Sequence, residues 1–474
     1  MTKNGTPIRA RRTTPAARWV AILTALAIAT AGGGPALQPA QAEQRAKGGL
    51  PIIRDTEIEQ LLREYAAPIL KTAGLAQQNV RIVVLNDRAF NAFVMDGRHI
   101  FINAGALFES KTPNEIIGIF AHETGHLAGG HLLRLREKLA QAQTQSIIAL
   151  LLGAGAIVAA GRSSNADIGP GAILGPQLSI QRTLLSYVRT QEDQADHAGV
   201  KFLTATHQSA RGMLDLFKRL NNENLFGISR ADPYLQSHPL PPERIAALEM
   251  LAKASPYWDV KDSPELQLRH DLMRAKLAGF LERPETVARR YPPGDQSLPA
   301  RYARAISTYR YGDLRQAIAQ IDGLIQAEPN NPYFYELKGQ ALLEGGRGPE
   351  AVAPLRHAVH LASHPALIQI MLGQALMSTS DAKNSEEAVE LLRASIRREP
   401  EAPDAYAELA MAYGRKGDLA NADLAAAQAA FNRGDMMTAR QLAARAKTRL
   451  PVGSPAWVQA DDIVTVKMTG AKNE

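Results

Sequence analysis

From about residue 265 the chain repeats itself at a spacing of 34 residues. Ala305, Gly339 and Gly373 keep that spacing, as do Gly312 with Gly346, Ala317 with Ala351, and Ile321 with Leu355. A three-residue insertion near Asp381 shifts the register: Leu376 to Tyr413 is 37 residues, whereas Ala388 to Ala422 is again 34. Pro329 and Pro400 close repeats, and the Ala/Leu-rich segments between Gly and Pro read as helices. A unit of this length holds a pair of helices that cannot bury its apolar face alone, so neighbouring units stack. The stack leaves a concave surface that suits an extended chain or a helix of another protein and has no chemistry of its own. Over Leu419–Phe431 the pattern drifts into a long Ala-rich stretch.

The first 42 residues read as an address rather than as fold. Arg9 to Arg18 form a basic region, residues 19–31 a short apolar one, and Pro39-Ala40-Gln41-Ala42 places small residues at a cleavage site after Ala42. The apolar core is short of the ~20 residues that span a bilayer, which disfavours an uncleaved anchor. Arg11-Arg12 lies in a weak twin-arginine context. The mature chain is therefore expected to be exported, to a bacterial periplasm. This segment carries Lys3, Arg9, Arg11, Arg12 and Arg18 without an acidic residue, and so holds five of the seven net positive charges. The near-neutral remainder has no basic stripe, which argues against a nucleic-acid partner. The absence of cysteine excludes disulfides, thiolate metal sites and cysteine nucleophiles.

Between address and repeats lies a mixed segment. Ile58, Leu61, Leu62, Tyr65, Ile69 and Leu70 recur at helical spacing within Asp55–Leu75. Val80–Leu85 is a β-branched run ending at Asn86-Asp87, and Phe90–Met95 and His99–Asn103 flank Asp96-Gly97, a hairpin signal. Thr112-Pro113-Asn114-Glu115 opens a helix with Thr as cap, Pro at the first position and Glu at the third. Residues 147–160 are apolar all round but too few for an ordinary transmembrane helix; they suit a buried helix, with a peripheral membrane contact as the alternative. Residues 161–175, rich in Gly, Ser, Asn and Pro, read as a mobile loop.

The helix opened by Thr112 runs into His122-Glu123-Thr124-Gly125-His126, an H-E-x-x-H pattern. Residues four apart share a helical face, so His122 and His126 can hold one metal together, with Glu123 beside it to take a proton from a bound water. Zinc fits imidazole ligands and acidifies its water. Two sources of a third ligand are open. The pattern H-E-x-x-H-x-x-G-x-x-H has Gly129 in place, but its last position is Leu132; His131 falls one short and reads as a polar residue at a helix end. The other source is a helix over 184–202, where Glu192 and Asp196 share a face: Glu192 as ligand, Asp196 as the acceptor orienting a ligand histidine.

Asn91-Ala92-Phe93, Ile100-Phe101-Ile102-Asn103, Ala121-His122-Glu123-Thr124-Gly125-His126, Glu192-Asp193-Gln194-Ala195-Asp196 and Ser237-His238-Pro239 with Arg244 together resemble the gluzincin metallopeptidases of the prenyl-CAAX endoprotease and HtpX family. The resemblance spans roughly residues 50–255, and the 34-residue period resembles tetratricopeptide repeats. It implies a mainly α fold: a zincin-like metalloprotease domain of helices plus a small β-sheet over 43–260, after a signal peptide at 1–42, then a helical repeat solenoid over 265–474. It implies one Zn2+ per chain held by His122, His126 and Glu192, with Glu123 as general base and Asp196 supporting the site. His238 would approach the metal from the following segment, either stabilising the oxyanion or occupying the open metal position and holding the enzyme off. Arg244 would partner a carboxylate or the oxyanion. The transmembrane helices of the integral-membrane relatives have no counterpart here, which implies a soluble, periplasmic form.

The expected activity is that of a zinc endopeptidase degrading misfolded or stalled envelope proteins. The substrate backbone would lie along an edge strand of the 90–103 hairpin, and the 161–175 loop would act as a lid. Unfolded or misfolded outer-membrane proteins are the implied substrates, and the outer-membrane barrel assembly machinery is the implied partner of the repeats. A role from a different class, a periplasmic chaperone or scaffold acting through the repeats, is the alternative.

Overall fold

A computed structural model describes residues 51–140, 171–225, 233–379 and 381–466. The expected signal segment at 1–42, the apolar run 147–160 and residues 161–170 of the expected lid lie outside the described residues. The chain is mainly helical, with one small sheet followed by paired helices.

The sheet has four strands, β1 (Ile52–Ile53), β2 (Arg81–Leu85), β3 (Ala92–Val94) and β4 (His99–Asn103), in the order β1-β2-β4-β3. β2 and β4 run parallel, with Val83 opposite Phe101, while β3 and β4 form the antiparallel hairpin, with Phe93 opposite Phe101. β3 is thus an edge, and it packs against helix Pro113–Gly129. The hairpin is shorter than Phe90–Met95 suggested, because Phe90 leaves the strand to enter the core. Asp96 holds the turn by accepting from the backbone N–H groups of Arg98 and His99, both at 2.8 Å.

Helix Thr56–Thr72 buries Ile58, Leu61, Leu62, Tyr65 and Ile69, the stripe seen in the spacing. Helix Pro113–Gly129 starts with Pro113 at its first turn, and Thr112 caps it by accepting from the Glu115 N–H at 3.3 Å. It is buried from Ile116 to Gly125, so the H-E-x-x-H turn lies inside the domain up to His126, which is partly buried. Glu192 and Asp196 stand on a 35-residue helix, Gly171–Ala205, which begins well before the expected 184. Residues 171–175, expected as loop, are its first turns: Ala172, Ile173 and Leu174 are helix-compatible between the glycines. Among the described residues no helix is long and apolar enough to cross a membrane.

The later helices pair at the sequence period. First helices begin at Pro264, Leu298, Pro332 and Ala366, each 34 residues after the last. The three-residue insertion lengthens one helix: Ala382–Arg398 has 17 residues where Leu314–Ala327 and Gly348–Leu361 have 14. The Ala-rich Leu419–Asn432 is an ordinary member, packed on Pro403–Arg415.

Helix Pro264–Leu281 joins the two parts. Met273, Leu277 and Ala278 complete the core around the sheet, while Leu272 and Ala275 belong to the next cluster with Tyr302 and Ile306. Its Lys276, 3% exposed, lies 2.7 Å from Asp55, 3.2 Å from Glu57 and 3.7 Å from Glu336. Thr56 donates to Glu336 at 2.6 Å and Tyr302 to Glu57 at 2.9 Å. Burial drives Glu57 and Glu336 above the usual carboxylate range, against the pull of Lys276. Lys276→Met should therefore cost roughly 3–5 kcal/mol, since it leaves three carboxyl groups without their cation. Arg54→Ala, which removes partly exposed pairs with Glu59 and Glu399, should cost under about 1 kcal/mol. Denaturant unfolding measures both; equal losses would contradict a special role for Lys276.

Candidate metal centre

Helices Pro113–Gly129 and Gly171–Ala205 carry most of the site, and their closeness is a matter of side-chain size. Gly125, inside the H-E-x-x-H turn, faces Ala195 on the Gly171–Ala205 helix. A Cβ at 125 would lie 2.8 Å from the Ala195 carbonyl oxygen and 2.9 Å from its Cα, so only glycine permits this backbone approach. Ala195 sits between Glu192 and Asp196, and the contact sets both carboxylates against the two histidines.

Four side chains, His122, His126, Glu192 and His238, each offer a ligand atom to one point, the atoms lying within 4.8 Å of one another. His122 Nε2 is 3.1 Å from His126 Nε2, 3.4 Å from Glu192 Oε2 and 3.3 Å from His238 Nδ1. His126 Nε2 is 3.3 Å from Glu192 Oε1, and His238 Nδ1 is 3.0 Å from Glu192 Oε2. With metal–ligand bonds of about 2.0–2.1 Å, a tetrahedron has edges of about 3.3 Å. The five spacings are close to such an edge, and two imidazoles, a carboxylate and a third imidazole are a donor set suited to a divalent transition metal.

The surrounding groups are ordered by charge. Asp196 accepts from His122 Nδ1 at 2.9 Å, and Arg244 binds Asp196 through Nε at 2.7 Å and Nη2 at 2.9 Å. Arg244 Nη1 also lies 2.8 Å from Glu192. Of the two partners expected for Arg244, the structure gives it carboxylates. Burial opposes the charge of His122, yet hydrogen bonds to Asp196 and Glu192 outweigh it and lift its pKa to about 9. Burial likewise works against the Glu192 carboxylate, but His238 and His122 hold it well below the usual range. Arg244 and His122 do the same for Asp196. Glu123 differs: burial pushes it up, and both its oxygens are buried without a hydrogen-bond partner. His238 Nε2 is 3.6 Å from Glu123 Oε1. A buried carboxylate that accepts no hydrogen bond, beside a ligand cluster, suits a proton acceptor for a metal-site water.

His131, at the helix end, is not among the four clustered side chains, but it is 3% exposed, with Nδ1 3.0 Å from Nδ1 of His126, a contact its place in the sequence did not suggest. The two glycines before it, Gly129 and Gly130, were the available signal of a chain turning back. Phe217 and Tyr234 were not singled out either. Phe217 lies edge-on to His122 and under the Arg244 guanidinium, and Tyr234 packs on His238 at 4.7 Å.

Residues 53–252 match the model of Peptidase family M48, and residues 302–366 match that of a tetratricopeptide repeat. The chain is similar to the beta-barrel assembly-enhancing protease of Escherichia coli K12, 23% identical over 70% of this chain and 67% of that one. It is also similar to the protein of that name from Yersinia pestis, 21% identical over 86% of this chain and 83% of that one. The mitochondrial metalloendopeptidase OMA1 of Schizosaccharomyces pombe is 25% identical over 38% of this chain and 49% of its own length.

Gly125→Ala should part the two helices, costing about 1–3 kcal/mol and reducing retention of a divalent metal. Denaturant unfolding and metal analysis after gel filtration check this; no change in either would contradict the packing account.

Proposed function

We propose, from the match of residues 53–252 to the model of Peptidase family M48 and of residues 302–366 to that of a tetratricopeptide repeat, a zinc endopeptidase that removes misfolded or stalled envelope proteins. The observation that carries the reading is the convergence of His122, His126, Glu192 and His238 beside the unpartnered Glu123. His122, His126 and Glu192 would hold the zinc ion, one per chain. The chemistry zinc supplies there, once bound, is polarisation of the scissile carbonyl and of the attacking water.

Glu123 takes the proton from that water and delivers it to the leaving amine. Asp196, itself held by Arg244, fixes the tautomer of His122 so that Nε2 faces the ion. The edge strand β3 offers its free backbone groups to an extended substrate segment, which compact proteins cannot supply. The distances favour the blocking role for His238: its Nδ1 fills a corner of the donor tetrahedron, a position a catalytic site keeps open. The resting enzyme is thus latent, and the segment carrying His238 has to withdraw before substrate enters.

The division into a peptidase unit over 43–260 and repeats over 265–474, the cleavable signal at 1–42 and the periplasmic location are part of this proposal. So is the docking of the repeats on outer-membrane assembly machinery, supported by the names of the relatives from Escherichia coli and Yersinia pestis.

Glu123→Gln should keep one zinc per chain and lose cleavage of an unfolded protein by at least about 100-fold, a typical minimum for a lost acid–base group. Cleavage at the wild-type rate would refute the mechanism. His238→Ala should raise the basal rate on the same substrate; a fall would assign His238 to the transition state instead.

A further inference from the structure

The two histidines of the H-E-x-x-H turn are supported differently. His122 gives its Nδ1–H to a carboxylate, Asp196, at 2.9 Å. Among the described residues no carboxylate is recorded at His126 Nδ1; this atom lies 3.0 Å from Nδ1 of His131, the ring planes nearly perpendicular at 86°. We propose that His131 is the positioning residue for His126, a neutral acceptor that fixes the tautomer and aim of this metal-facing ring. The inference rests on the reading of the cluster as a metal centre.

The tautomers follow from donor and acceptor counting. His126 Nε2 faces His122 Nε2 and Glu192 and keeps its lone pair for the ion, so its proton sits on Nδ1. His131 Nδ1 must then accept, which places its own proton on Nε2. An imidazole suits this place for a reason of charge: Glu123, Glu192 and Asp196 already put three carboxyl groups in the buried site, with Arg244 as their fixed cation. A fourth carboxylate would add an unbalanced buried charge, whereas a neutral ring accepts the hydrogen bond without one.

The local sequence builds the contact. Helix Pro113–Gly129 ends on Gly130, whose φ of 62° lies in the left-handed region that glycine adopts without strain. The turn folds the His131 ring back over residue 129, where a Cβ would lie 2.3 Å from its Nε2; the ring fills the space a side chain at 129 would need. Gln191, next to Glu192, donates to the His131 carbonyl at 3.0 Å and so ties the turn to the helix that carries the acidic ligand.

The test compares two substitutions in the full chain by Zn2+ affinity, measured by competition with a chelator. His131→Asn keeps an acceptor close to the place of Nδ1, whereas His131→Phe keeps a ring without one. Expected are affinity within about threefold of wild type for His131→Asn and a loss of about 10–100-fold for His131→Phe. Wild-type affinity in His131→Phe overturns the inference, as do equal losses in both variants, which would assign the effect to packing. Should His131→Phe not fold, nitrogen-15 NMR of zinc-loaded wild type decides: a scalar coupling between the two Nδ1 atoms supports the hydrogen bond, and its absence overturns it. Failure of wild type itself to bind Zn2+ overturns the metal reading beneath, and is distinct from the other outcomes.

Discussion

Everything at the site depends on how closely two helix backbones approach at Gly125 and Ala195. Two histidines four residues apart need only one helix to share a face. A third ligand needs a second helix within a side chain's reach, and a carboxylate as short as Glu192 closes that distance only if nothing larger than hydrogen stands at 125. The approach also brings Asp196 against the back of His122, so one contact delivers both a ligand atom and the acceptor that orients another ligand.

Burial of so many carboxyl groups sets the second constraint. Arg244 lies against both Glu192 and Asp196, and a cation bound at the cluster would supply further positive charge. The same logic recurs at the junction with the repeats, where Lys276 is buried among Asp55, Glu57 and Glu336. There the cation is a side chain, and the result is a fixed link between the first helix of the peptidase unit and the helices Pro264–Leu281 and Pro332–Glu344.

Much of this was legible in the chain because it is local. The 34-residue period, the Thr112 cap with Pro113, the apolar stripe from Ile58 to Ile69 and the spacing of His122 and His126 are encoded within a few turns of one element. What escaped reading depends on distant partners or on a turn. The Lys276 cluster joins residues more than 200 positions apart. β1 is two residues long, too short to show alternation. His131 sits one residue from a familiar ligand spacing and reads as a helix-end polar group, until the left-handed turn at Gly130 folds it back onto His126. Arg244 could have faced an oxyanion or a carboxylate, and only the packing of its segment beside the Gly171–Ala205 helix decides for the carboxylates.

The account stands on one divalent ion bound by three imidazoles and a carboxylate. X-ray absorption at the zinc edge of the zinc-loaded resting chain measures that directly. The predicted spectrum shows four nitrogen or oxygen neighbours at about 2.0–2.1 Å, with the outer-shell scattering of three imidazole rings. A chain that retains no stoichiometric zinc, or a spectrum with fewer than two imidazoles, would contradict it.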